Sequence, residues 1–145
     1  MKKTVRIIAV ALIAVVALSS CSLLDYVSIY SLDEVVPKYE SEDQFHTVLV
    51  GAVEITERET GKKITLTGND ILSVYYNLMG VSCERSKGIA DGLTEKYSIK
   101  FIMNDDSAST VLYIIDESEY VYSGYTYKAL SGHVELSYFE LMFSR

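Results

Sequence analysis

Two cysteines and two histidines are the side chains best suited to covalent or acid–base chemistry: Cys21, Cys83, His46 and His133. A thiol held beside an imidazole would be a nucleophile with its general base. Nothing in the spacing of Cys83, His46 and His133 requires that pairing. An isolated histidine reads as a surface or hydrogen-bonded structural residue, and Cys83 reads as an inert structural cysteine. Asn104-Asp105-Asp106-Ser107 offers a run of oxygens. A calcium loop, however, needs ligands at positions 1, 3 and 5, a glycine at 6 and an acidic residue at 12. That pattern is missing, so the run reads as a polar hairpin turn. Asp116, Glu117 and Glu119 read as a solvated turn for the same reason. No glycine-rich phosphate loop, zinc-ligand spacing or basic aromatic patch occurs. The sequence therefore predicts no catalytic residues, no metal, no cofactor and no enzyme.

Cys21 stands apart because of what precedes it. Lys2, Lys3 and Arg6 form a positive start, followed by an unbroken apolar run of 12 residues from Ile7 to Leu18. A helix needs about 20 apolar residues to cross the hydrocarbon core. A positive start, a short apolar core and small residues at its end make an export signal rather than a permanent span. The run closes on Leu18-Ser19-Ser20-Cys21, which resembles the lipobox of bacterial lipoproteins. That resemblance implies that the Cys21 thiol receives diacylglycerol. It also implies that a peptidase recognising Leu18, Ser19 and Ser20 cuts just before the cysteine. Two acyl chains on one residue suffice for stable attachment where a single chain is marginal.

Three of the 13 basic residues precede Cys21 and all 20 acidic residues follow it, so residues 21–145 carry a net charge of −10. Such a body is repelled by nucleic acid and by anionic surfaces, which excludes nucleic acid as a partner. Membrane contact is expected through lipid on Cys21. With Cys21 acylated, Cys83 has no partner within the chain and no disulfide is expected.

Residues 1–20 read as the signal peptide, 21–43 as a lipidated tether and 44–145 as one domain, long enough for a real core. Leu23, Leu24, Tyr26, Ile29, Tyr30, Val35 and Val36 are too apolar for a wholly disordered tether, so its second half is expected to dock on the domain. Residues 44–58 form a strand candidate with apolar residues at both parities. A turn at 59–62 returns it as a second strand, Lys63 to Thr67. Thr67 or Asn69 is expected to cap a helix Asn69–Met79. Its Ile71, Val74, Tyr75 and Leu78 fall at i, i+3, i+4 and i+7, with Leu72, Tyr76 and Met79 widening the stripe. Gly80 stands where such a helix stops. Residues 81–94 read as a polar loop, the alternative to the tyrosine hairpin as an interaction surface. Tyr97, Ile99, Phe101 and Met103 alternate with Lys96, Ser98, Lys100 and Ile102, a clear strand pattern. A further strand is expected over 110–115. At the end, Ser137 is expected to cap a short helix 138–143 with Glu140 completing the box; a single helix from Leu130 onward is the alternative.

Tyr120, Tyr122, Tyr125 and Tyr127 flank Ser123-Gly124, a two-residue hairpin turn. Closure by Tyr122 and Tyr125 pairs Tyr120 with Tyr127 and brings four rings to one sheet face. Those rings are either core or an exposed platform. As a platform they are the expected interaction surface, since tyrosine offers wide contact at low entropic cost.

The order of elements from Lys63 onward resembles a family of small lipoproteins of unknown function from Gram-positive bacteria. The residues carrying the likeness are Ile64-Thr65-Leu66-Thr67, Tyr97 to Met103, Tyr113-Ile114-Ile115, Tyr120 to Tyr127 with Gly124, and Ser137 to Phe143. Lys128-Ala129-Leu130 stands where those relatives carry Pro-Tyr. The resemblance supplies no catalytic residues.

The expected fold is a single small α+β domain. It comprises an antiparallel sheet of five or six strands, one packed helix and a short C-terminal helix. The expected function is that of a lipid-anchored protein on the extracytoplasmic face of the cell membrane. There it acts as a non-enzymatic interaction module with an envelope protein partner. A small-molecule or glycan-binding lipoprotein is the alternative, and an enzyme using Cys83 and a histidine the third reading.

Overall fold

The computed structural model describes residues 28–86, 88–89 and 91–145. The expected signal peptide, residues 1–20, with the lipobox-like Leu18-Ser19-Ser20, and the expected lipidation site Cys21 lie outside the described residues. In chain order the elements are β1 (Ile29–Ser31), α1 (Leu32–Val35), β2 (Val50–Glu57), β3 (Lys63–Thr67), a 3-10 turn (Gly68–Asp70), α2 (Ile71–Leu78), β4 (Ser82–Arg85), β5 (Tyr97–Met103), β6 (Thr110–Ile114), β7 (Glu119–Tyr122), β8 (Tyr125–Ser131) and α3 (Leu136–Phe143).

The described strands form one sheet of eight, in the order β1-β4-β8-β7-β6-β5-β2-β3. Every neighbouring pair is antiparallel. This corrects the expectation of five or six strands with one packed helix and a short terminal helix. The sheet has eight strands, and three α-helices accompany it. The two unforeseen strands are β1 and β4, three and four residues long. Neither is long enough to display a period-2 pattern that stands out from its neighbours. The segment 21–43, read as a tether, belongs to the fold from Ile29 onward: Leu32 and Val36 are buried in the core. The Leu32 amide donates to the Val81 carbonyl at 2.9 Å.

The core lies on one face of the sheet. Tyr97, Ile99 and Phe101 of β5, Leu112 and Ile114 of β6, Tyr120 of β7 and Tyr127 of β8 all contribute to it. They recur at every second position, the period-2 consequence of the pleat, while Ser98, Val121 and Thr126, at the alternate positions, are buried as well. Helix α2 buries Ile71, Val74, Tyr75 and Leu78 against that face, as the i, i+3, i+4, i+7 spacing requires. Tyr76 and Met79 stay exposed instead of widening the stripe. Neither Thr67 nor Asn69 caps α2 through its side chain; the 3-10 turn leads straight into it. The Tyr75 hydroxyl donates to the Pro37 carbonyl, which fastens the N-terminal segment onto the helix.

Strand β2 begins at Val50, and its apolar positions change parity within it. Val50, Val53 and Ile55 are all buried, although 50 and 53 differ by an odd number. A bulge between Val50 and Ala52 inserts Gly51 as an extra residue and turns the following side chains over. Glycine is required there because a Cβ would stand 2.0 Å from Asn104 Oδ1.

The last helix starts at Leu136 rather than at a Ser137 cap. Strand β8 runs on to Ser131 because β4 lies beside it and pairs with it. The start of α3 is tied to α2 instead. The Glu135 amide donates to Asn77 Oδ1 at 2.9 Å, and Asn77 Nδ2 donates to the Glu135 carbonyl at 3.3 Å.

Candidate functional site

The hairpin register is the one the turn chemistry predicts: Tyr122 faces Tyr125 and Tyr120 faces Tyr127. Ser123 and Gly124 both adopt positive φ, 50° and 82°, as a type I′ turn demands. The four rings do share a face, but it is the core face. Tyr120 and Tyr127 are buried, Tyr122 is half-buried, and only Tyr125 is exposed. The expected surface of Tyr120, Tyr122, Tyr125 and Tyr127 is corrected accordingly. Two of its four members are core, because helices and the N-terminal segment cover that end of the ladder. The Tyr120 hydroxyl donates to the Glu117 carbonyl. Burial pushes its pKa up to about 12.

At the hairpin tip the helical cover ends, and an arginine closes the gap. Arg85 faces Tyr127 across the β4–β8 ladder. Its guanidinium lies 4.6 Å from the Tyr125 ring centre and 5.2 Å from that of Tyr30. Tyr30 packs edge-on against Tyr127, with centroids 6.0 Å apart. This sandwich is a cation–π arrangement, partly open to solvent through Arg85 and Tyr125. Neither Arg85 nor Tyr30 stood out in the sequence, since one lay in an apparent loop and the other in an apparent tether. The alternation of Val81 and Cys83 with Ser82 and Glu84 is too short to have singled out β4 and, with it, Arg85.

The reactive side chains are not gathered. Cys83 is fully buried, and its thiol lies 3.5 Å from the Tyr30 carbonyl. Burial raises its pKa to about 11. His46 sits not in a strand but in a turn at positive φ, 3.9 Å from Glu40. His133 Nε2 lies 2.9 Å from Glu135. In the Asn104–Ser107 turn, Asp105 Oδ1 accepts the Ser107 amide at 3.0 Å, a local turn bond. Asp116 likewise accepts the Ser118 amide at 2.7 Å. Among the described residues no group of three His, Cys, Asp or Glu side chains is placed to hold a metal. No helix among them is long and apolar enough to cross a membrane.

Two concavities open among the described residues. One, of about 810 Å³, is lined chiefly by charged groups, Glu57, Arg58, Glu95, Lys96 and Glu140, with Tyr97 among them. Tyr97 stacks with Phe143 at 6.0 Å, and Arg58 lies 3.4 Å from Glu95. The other, of about 480 Å³, is a more apolar groove between β3 and α3, lined by Ile64, Leu66, Tyr138, Leu141 and Met142 together with Asp70, Ser73 and Arg145. Strand β3 ends the sheet, with β2 on its inner side and no described strand on its outer side.

An all-antiparallel sheet covered on one face by helices, with no assembled catalytic set among the described residues, defines the class only as a small α+β domain. The chain matches no family model, no curated protein and no solved structure.

Proposed function

We propose that the chain is the precursor of a bacterial lipoprotein. Its signal peptide, residues 1–20, is cut before Cys21, whose thiol carries diacylglycerol. The mature domain stands on the extracytoplasmic face of the cell membrane as a non-enzymatic protein-interaction module. The sequence Leu18-Ser19-Ser20-Cys21 behind a positive, apolar leader supports the anchor. The structural observation that supports the module reading is the outer edge of β3, which no described strand pairs, beside the apolar groove of Ile64, Leu66 and Leu141. Leu141 is 65% exposed there. An extended partner segment that adds to β3 gains main-chain hydrogen bonds from the edge and side-chain contacts from the groove. Lys63, paired with Glu54 at 3.0 Å, keeps that edge charged against unspecific strand pairing. The buried, protonated thiol of Cys83 supports a non-enzymatic role.

Two measurements test this. Mass spectrometry of the mature N-terminus is expected to show diacylglycerol on Cys21 and none in Cys21→Ser. Photo-cross-linking from position 65 in intact cells is expected to trap one envelope protein, and Leu141→Asp to abolish the capture. A chain recovered with an unmodified Cys21, or capture unaffected by Leu141→Asp, overturns the corresponding half.

A second reading, a small-molecule or glycan-binding lipoprotein, is favoured by the cavity at Tyr97. At about 810 Å³ it lies within the range of ordinary ligand pockets. Saturable ligand binding abolished by Tyr97→Ala in a folded variant would establish it.

A further inference from the structure

We infer that the domain rests on the bilayer through the hairpin-tip corner of the sheet, with Ile29, Tyr30, Arg85 and Tyr125 in the headgroup layer. This inference depends on the lipoprotein reading, because it takes Cys21 as the membrane attachment point. Eight residue steps separate Cys21 from Ile29, a reach of roughly 28 Å even when fully extended. The leash therefore keeps whatever surrounds Ile29 close to the membrane.

What surrounds Ile29 follows from the register. Ile29 faces Glu84, so the N-terminal end of β1 lies beside the Arg85 end of β4. Arg85 in turn faces Tyr127, close to the 123–124 turn. That corner is rich in exposed apolar surface. Ile29 is 64% exposed, Tyr125 39%, and Ile89 57% in the segment whose Gly88 accepts the Thr126 amide. Tyrosine and arginine side by side, with aliphatic side chains around them, are the residue types that anchor proteins at the lipid–water boundary. The tyrosine rings sit at headgroup depth, and the guanidinium can meet lipid phosphate bidentately. The rest of the domain is acidic and repelled by anionic lipid, so one corner rather than a broad face is the geometry that charge allows. The edge at β3 lies on the order of 30 Å away along the sheet, and this orientation holds it clear of the membrane for a partner.

The lipidated mature chain, residues 21–145, reconstituted in vesicles of phosphatidylglycerol and phosphatidylcholine, provides the test. The native chain contains no tryptophan, so a single introduced indole reports alone. Tyr125→Trp and, separately, Ile29→Trp place it at the corner, and Thr65→Trp places it on β3. Lipids brominated close to their headgroups quench only indoles at that depth. Loss of emission at 125 and at 29, with none at 65, is the expected result, and Arg85→Glu is expected to reduce the loss at 125. Equal emission at all three positions, in protein whose Cys21 acylation is verified by mass spectrometry, overturns the orientation and leaves the lipoprotein reading standing. A chain recovered with a free Cys21 thiol overturns both.

Discussion

The Val134 amide donates to the Tyr120 hydroxyl at 3.2 Å, across 14 residues of chain, while the same hydroxyl donates to the Glu117 carbonyl. One phenol thus joins the turn before β7 to the segment that leads into α3. Because Val134 also reaches the Glu117 carbonyl at 3.1 Å, its amide keeps a partner when the phenol is removed. Tyr120→Phe is therefore expected to cost about 1 kcal/mol. Tyr120→Ser, which empties the core, should cost about 3–5 kcal/mol. Tyr125→Ser should cost at most about 1 kcal/mol, since it loses only an exposed cation–π contact. Urea midpoints of the three variants check this ranking; an equal loss for Tyr125→Ser and Tyr120→Ser would contradict the split of the quartet into core and surface.

The bulge at Gly51 makes a coupled prediction. Gly51→Ala drives a methyl group toward Asn104 Oδ1, and Asn104 is held there because its Nδ2 donates to the Val48 carbonyl at 3.0 Å. The single substitution is expected to destabilise by about 1–3 kcal/mol. Asn104→Ala alone should cost about 1 kcal/mol. The double variant should be more stable than the sum of the two predicts, because the second change removes what the first collides with. Strict additivity in a thermodynamic cycle would show that the bulge does not press on Asn104.

On α2 the buried and exposed faces differ sharply. Leu78→Ala is expected to cost about 2–5 kcal/mol, as a large-to-small change in a closed core. Tyr76, 68% exposed, should tolerate alanine within about 0.5 kcal/mol. Thermal melts of the two variants decide it, and a comparable drop for Tyr76→Ala would mean that the outer face of α2 is covered in solution.

Cys83 links burial to pH. Its thiol pKa is raised by burial from 9.0 to about 11, so the folded state favours the protonated form. The stability this supplies is complete below the unfolded pKa near 9 and disappears as pH rises through about 11. Relative to Cys83→Ala, the native chain should lose stability across that window, while the difference between them stays constant below pH 8. In protein whose Cys21 is blocked, a thiol reagent at pH 8 should label Cys83 only as fast as the domain opens. Rapid stoichiometric labelling of the folded protein would show that the thiol is accessible.

Several features were legible in the residues alone because they depend on local pattern. The α2 stripe, the β2–β3 hairpin, the β5 alternation and the register set by Ser123-Gly124 each need only a few neighbouring side chains and one turn. The candidate lipid attachment is equally local, a leader and four residues ending at Cys21. Tertiary structure alone decided the rest. Strands β1 and β4 are too short to announce themselves and exist because β8 offers an edge to β4, and β4 an edge to β1. The parity change at Gly51 comes from a bulge that no alternation pattern predicts. The four tyrosines share a face by virtue of the hairpin, but which rings are buried depends on where the helices and the N-terminal segment end above them. That boundary leaves Arg85, Tyr30 and Tyr125 together at an open corner, and it is set by packing between segments forty or more residues apart. Sequence periodicity assigns a side chain to a face of its own element; only the assembled sheet determines whether anything covers that face.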